Sequence, residues 1–291
     1  MISKRTHCAE QLHLNRNMFQ CPVCGAAMDT AMQKSLVCMH GHTFDIAKQG
    51  YVNLLTRPIH THYDKTLFEA RRRIIVGHGF FDPLIEALAE QIMGLMNDSA
   101  HILDLGCGEG SHLAKICQLL AIVQSNNIRG FGADLAKEGI QSAAKIYPNQ
   151  NWLVADLAYP PFNVHLFDFV LNILSPSNYH TFDRMLKPGG SIIKVIPGSE
   201  YLRELRFSLF GEEKTHYSNA DTFSLFQQHF PNALTQKISY TIPLNQEGIR
   251  DLIQMTPLTW NVSEMKRKQW LEKSSATITV AFEILVGSKS H

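Results

Sequence analysis

His101-Ile102-Leu103-Asp104-Leu105-Gly106-Cys107-Gly108-Glu109-Gly110 is the stretch on which the fold turns. HILDL is a short apolar run of strand character, and three alternating glycines separate it from SHLAKICQLLAIV, which reads as a helix from Ser111. Glycine at these positions removes side chains where a flat cofactor must approach the backbone, and the helix start behind them offers free amides. Downstream, IRGFGADL, NWLVADL, LFDFVLNIL and GGSIIKVIP read as four more strands, with helices GIQSAAKIY and TFDRML between them. Strands alternating with helices require right-handed crossovers and a parallel sheet. In the tail, TQKISYTIPL and TITVAFEILVG also read as strands, the second closing the sheet antiparallel at one edge. Upstream, Pro83 to Met96 reads as a helix. The expected class is α/β, a doubly wound, mostly parallel sheet with an antiparallel edge strand.

The 291 residues are 45% hydrophobic and 18% charged, with 27 Lys+Arg against 26 Asp+Glu, which excludes a disordered, collagen-like or strongly basic chain. No run approaches the roughly 18 apolar residues of a membrane span, and residues 1–17 lack the apolar core of a secretory signal, so a cytoplasmic protein is expected. Charge is unevenly spread. Residues 1–73 carry 10 Lys+Arg against 5 Asp+Glu, an excess of +5 that leaves −4 for the other 218 residues. This basic side ends in Arg71-Arg72-Arg73, which reads either as a phosphate-facing run or as a solvated helix face.

Cys21-x2-Cys24 followed by Cys38-x3-His42 has the spacing that wraps a short chain around one tetrahedral ion. In CPVCG, Pro22 fixes one backbone angle and Gly25 permits the turn that aims amides at thiolate sulfur. His42 is preferred to His40 as the fourth ligand because Cys38-x-His40 leaves little reach for both side chains to converge. Residues 19–55 hold too little apolar mass for a core of their own, which favours a bound ion, and with four ligands leaving no open position and no nearby HExxH the zinc is expected to be structural. Cys8, Cys107 and Cys117 have no such partners and read as core or surface residues.

The glycine loop departs from a dinucleotide site, since Ser111 occupies the third glycine position of G-x-G-x-x-G. It resembles instead motif one of the Rossmann-like class I S-adenosylmethionine methyltransferases. That resemblance implies a donor site built on Asp104, Gly106, Gly108 and Glu109. Asp134 would lie at the ribose hydroxyls, and Asp156 and Leu157 by the adenine. An Asp at a strand end also reads as a turn or cap residue. Asn172-Ile173-Leu174-Ser175-Pro176 stands where amine-methylating relatives carry an Asn/Asp-Pro-Pro-Tyr loop, which disfavours that chemistry. Asn172 reads either as a reader of a base edge or as a helix cap.

CPVCG, CMHGH, FDIAKQGYVNLL, ARRR, DLGCGEG, LKPGG, IPGSEYL and QMTPLTW occur in the same order in the RlmA-type large-subunit rRNA guanine-N1 methyltransferases, and the resemblance covers residues 19–285. It implies that Cys21, Cys24, Cys38 and His42 bind zinc in a module that helps to recognise a 23S rRNA hairpin. It also implies donor contacts from Gly108, Glu109, Phe81 and Tyr201, although the family pattern has Tyr and His at the last two positions. The implied reaction is methyl transfer from S-adenosylmethionine to guanine N1, with no base assigned for the N1 proton, no DNA or membrane partner, and a suggested homodimer. The alternatives are a small-molecule methyltransferase of the same fold and a non-catalytic RNA-binding protein. The expected organisation is a flexible extension (1–17), a zinc domain (18–56), a basic connector (57–82) and the methyltransferase domain (83–291).

Overall fold

The computed structural model describes residues 2–59, 61–123, 127–211 and 219–290. The first element is helix α1 (Lys4–Leu14), whose N-cap Ser3 accepts a hydrogen bond from the Thr6 amide and which buries Cys8, Ala9 and Leu12. The sequence placed these residues in a flexible extension because only three positions of a polar helix are apolar and inward. Three short antiparallel strands follow, β1 (Met28–Ala31), β2 (Ser35–Cys38) and β3 (Thr43–Asp45). The strand β4 (Val52–Asn53) leaves this module and pairs parallel with β7 (Asn151–Val154) of the main sheet, Val52 opposite Leu153. The segment GYVNLL is thereby joined to the sheet itself.

Helix α2 (Lys65–Arg72) is capped by Asp64 and runs on through a wide π turn, Arg73–Gly77, to α3 (Asp82–Leu95). The alternation then proceeds through β5 (Ala100–Leu105), α4 (Ser111–Val123), β6 (Ile128–Asp134), α5 (Lys137–Ile146), β7 (Asn151–Val154), β8 (Phe167–Ile173), α6 (Tyr179–Met185) and β9 (Leu186–Pro197). The remaining elements are α7 (Arg203–Phe210), α8 (Ala220–His229), β10 (Leu234–Asn245), α9 (Gln246–Met255), α10 (Glu264–Leu271) and β11 (Ser275–Ser288). The sheet order is β10-β11-β9-β8-β5-β6-β7-β4. Pairings from β4 to β9 are parallel, and β11 is antiparallel to both β9 and β10. The class read from the sequence holds. The second tail strand does enter antiparallel, but it lies inside the edge, where β10 covers it.

Two apolar layers flank the sheet. On one side α3, α4, α5 and α9 contribute Leu88, Leu113, Ile140 and Leu252. On the other lie α6, α8, α1 and the Cys-rich module, whose Phe19, Leu36 and Ile46 share one cluster with Phe131 and Phe162. Phe19 packs 6.2 Å from Phe131 and 5.7 Å from Phe162, centroid to centroid. The module that is too small for its own core borrows one face of the sheet. No helix among the described residues is long and apolar enough to cross a membrane.

Candidate active site and zinc centre

The parallel strands deliver their carboxyl ends to one rim, where a doubly wound sheet binds ligands. Gly106 has φ +88°, and a Cβ there would lie 2.0 Å from Ser175 Oγ. Gly108 has φ +59°, and a Cβ there would press on Phe68 and on the Arg71 guanidinium 3.2 Å away. Both positions therefore demand glycine. Asp134 Oδ2 accepts from the Gly108 amide at 2.8 Å and Oδ1 from the Ala136 amide at 2.8 Å. Asp156 accepts from the Ala158 amide at 2.9 Å. Both strand-end acids thus brace their own loops, and Asp134 does so directly against the glycine turn.

Charge is concentrated beneath this loop. Arg71 Nε lies 3.1 Å from Glu109 Oε2, and the Arg71 field also reaches Asp134 and Asp104. Asp104 is 1% exposed, and its Oδ1 has no hydrogen-bond partner among the described residues. Burial first, then repulsion from Asp134 and Glu109, lifts its pKa to about 7 against the pull of Arg71. His112, on α4, is buried with Nε2 unpartnered, and burial together with Arg71 and Lys115 holds it neutral.

Beside the loop lies a cavity of about 430 Å³, within the range of small-ligand sites. Phe81, His112, Leu174, Pro197, Tyr201 and Arg71 line it, together with Tyr63, Leu67 and Met255 to Leu258. Phe81 meets His112 edge-on at 5.0 Å and stacks on Phe282 at 5.7 Å. Tyr201 lies 5.0 Å from the same Phe282. The fold thus brings Phe81 and Tyr201 together on one aromatic wall. Leu157 lies under the glycine turn, 3.9 Å from the position of a Gly106 Cβ. Of the donor residues expected from the sequence only Phe81 and Tyr201 line this cavity; Asp104, Gly106, Gly108, Glu109, Asp134, Asp156 and Leu157 are absent from its lining. Leu174, in the lining, and Leu202, next to the lining residue Tyr201, adopt left-handed φ of +53° and +54°, backbone strain of the kind that gathers at ligand sites. Sequence reading missed Arg71 as a site residue, along with His112 and Leu174. Only the helical spacing of TLFEARRR hinted that one arginine turns inward.

Asn172 is not a reader of base edges. It is fully buried: its Oδ1 accepts from Lys194 Nζ at 2.8 Å and from Ser177 Oγ, and its Nδ2 donates to the Pro176 carbonyl at 3.1 Å. A phosphate-facing Arg71-Arg72-Arg73 run also fails as a unit. Arg71 faces Glu109, and Arg73 forms a bidentate pair with Asp251 at 2.7–3.0 Å; Arg72 and the paired Arg73 line an open trough with Lys4, Lys48, Lys65 and Lys145. Glu69 and Glu138 share that trough.

The second centre lies in the N-terminal module. The ligand atoms of Cys21, Cys24, Cys38 and His42 all fall within 4.8 Å of one another. His42 Nδ1 is 3.6 Å from Cys21 Sγ and 3.4 Å from Cys38 Sγ, and the Cys24 and Cys38 sulfurs are 3.8 Å apart. A tetrahedral zinc with ordinary bond lengths requires about 3.8 Å between sulfurs and about 3.5 Å between sulfur and nitrogen, so this donor set fits the ion. Desolvation opposes the Cys38 thiolate, but the amides of His40 and His42 and the His42 ring outweigh it and bring its pKa down to about 6. His40 touches Cys24 Sγ at 3.3 Å yet stands outside the four-ligand group.

The RlmA N-terminal zinc-ribbon family matches residues 19–62, and a methyltransferase-domain family matches residues 102–190. A Bacillus subtilis protein provisionally named a 23S rRNA (guanine-N(1)-)-methyltransferase is 44% identical over 94% of this chain and 98% of its own length. The chain belongs to the RlmA methyltransferase family. A Streptomyces fradiae relative, the 23S rRNA (guanine(748)-N(1))-methyltransferase, is 29% identical over 83% of this chain and 85% of its own. RlmA membership makes the glycine-loop site that of an S-adenosylmethionine-dependent methyltransferase and the four-ligand cluster that of a zinc ribbon.

Proposed function

We propose that this RlmA-family enzyme methylates N1 of a guanine in a hairpin loop of 23S rRNA. The observation that carries this reading is the near-full-length match to the Bacillus subtilis relative. The joining of a methyltransferase sheet to a zinc ribbon in one packed body gives it further support. S-adenosylmethionine, when bound, supplies a methyl group already activated on a sulfonium. The chain's task is therefore chiefly to hold acceptor and donor in line.

Phe81 and Tyr201 provide apolar wall for the donor. Gly106 and Gly108 leave room for it, Glu109, Asp134, Asp104 and Asp156 shape the polar side of its cradle, and Leu157 adds an apolar contact beside the glycine turn. The guanine N1 proton leaves as the N1–C bond forms, and no residue is assigned to take it. A base offered on its Watson–Crick edge must be unpaired, which suits a hairpin loop. The trough of Lys4, Lys48, Lys65, Arg72 and Lys145 suits the RNA phosphates. The same reading has the protein acting in the cytoplasm as a homodimer, without DNA or membrane partners.

The test is transfer of tritiated methyl from S-adenosylmethionine to 23S rRNA lacking N1-methylguanosine, followed by nucleoside mass spectrometry. Label in 1-methylguanosine is the expected result. Donor binding without RNA label would instead favour a small-molecule acceptor.

A further inference from the structure

The motif QMTPLTW ends on a residue that the donor site does not use. Trp260 is 44% exposed, whereas the other two tryptophans, Trp152 and Trp270, are 1% and 3% exposed. Among the three tryptophans only this indole is open to a ligand from solvent. Across from it stands Tyr63, 40% exposed, its ring centroid 5.5 Å from that of Trp260 in an edge-on contact. The ring that contributes its edge keeps its faces clear of this contact. Tyr63 is steadied from behind by Phe68 at 6.1 Å.

The position of this pair gives it meaning. Tyr63 lines the donor cavity, and Trp260 lines a second cavity of about 600 Å³. Leu67 borders both spaces, and the Tyr63–Trp260 contact joins a lining residue of one to a lining residue of the other. The second cavity also carries the amides of Gln254 and Asn261, groups that can each donate and accept a hydrogen bond. A flat, heteroaromatic guest with a mixed donor and acceptor edge matches this lining, and a methyl acceptor must sit next to the donor.

We infer that the Tyr63–Trp260 pair is the stacking platform for the acceptor guanine, with Gln254 and Asn261 on the amide-bearing wall around it. This rests on the rRNA methyltransferase reading and adds the subsite through which the target base is held. Base–aromatic stacking tolerates any π face. The platform therefore holds the unstacked base, and the adjoining cavity limits which edge reaches the donor.

The experiment compares wild type, Trp260→Leu, Trp260→Phe and Tyr63→Leu for methyl transfer to unmethylated 23S rRNA and for S-adenosylmethionine binding by calorimetry. With Trp260→Leu, kcat/KM for RNA is expected to fall about five- to 150-fold, the equivalent of about 1–3 kcal/mol of stacking. Donor affinity should stay at the wild-type value, and Trp260→Phe should recover most of the activity. Acrylamide quenching of tryptophan emission gives a second readout: 23S rRNA should shield it in the wild type and make no difference in Trp260→Phe. Wild-type kcat/KM in Trp260→Leu overturns the platform, as does a loss of donor and RNA binding together that Trp260→Phe does not rescue. A wild-type enzyme that never labels RNA would instead sink the rRNA reading, a result distinct from either.

Discussion

Asp104 is a carboxyl held among acids, and its titration should be visible in the whole protein. Burial, with Asp134 and Glu109 adding to it, raises its pKa to about 7. A group whose folded pKa lies above its unfolded value of about 3.9 binds more protons in the folded state. Its stabilising contribution is therefore complete at pH below about 4 and is lost as the pH climbs through about 7. Asp104→Asn keeps the shape and cannot ionise. Its Tm relative to wild type is expected to rise between about pH 5 and about pH 8, measured by scanning fluorimetry at each pH; a difference that stays flat would contradict the raised pKa. At this scale the sequence was informative wherever backbone shape decides. Gly106, Gly108 and Asp134 were readable because a turn at a strand end leaves few choices of residue. Arg71 was not, because a run of three arginines carries no mark of which one faces Glu109. That choice is made by the docking of α2 on the glycine loop, and the partner of Arg73 lies 178 residues away.

At the scale of elements, the alternation of strands and helices was legible because each β-strand from 100 to 197 contains a largely apolar, buried run. The two-residue β4 was not, since so short a run has no period, and it becomes a strand only where β7 offers an edge. Helix α1 escaped for the converse reason, a mostly polar composition that reads as a tail. The zinc ribbon is the element whose removal should be most informative. Cys24→Ser is expected to abolish stoichiometric zinc, measured by mass spectrometry, and to remove hydrogen-exchange protection from residues 19–55 while β5 to β9 keep theirs. Because Phe19, Leu36 and Ile46 cover one face of the sheet, the variant should also melt at lower temperature than wild type. Unchanged zinc content would refute the ligand assignment.

For the whole molecule, the near-neutral total of +1 hides a basic N-terminal side, and the fold collects part of it together with Lys145 from α5. Lys4, Lys48, Lys65, Arg72 and Lys145 come from four separate segments to line one trough. Binding of 23S rRNA should therefore weaken steeply with salt, and charge reversal at Lys48 should lower the slope of log K against log salt by about 0.7–0.9 for each phosphate that the variant no longer neutralises. An unaltered slope would move the phosphate path elsewhere. The path of β4 has a different consequence, for synthesis on the ribosome. Val52 emerges roughly 100 residues before its partner Leu153, about 5–20 s at ordinary elongation rates. During that wait the nascent ribbon has no sheet to lean on. Early capture of zinc then acts as a holding clamp, so that metal starvation during translation should leave more misfolded chain than the same starvation applied to finished protein.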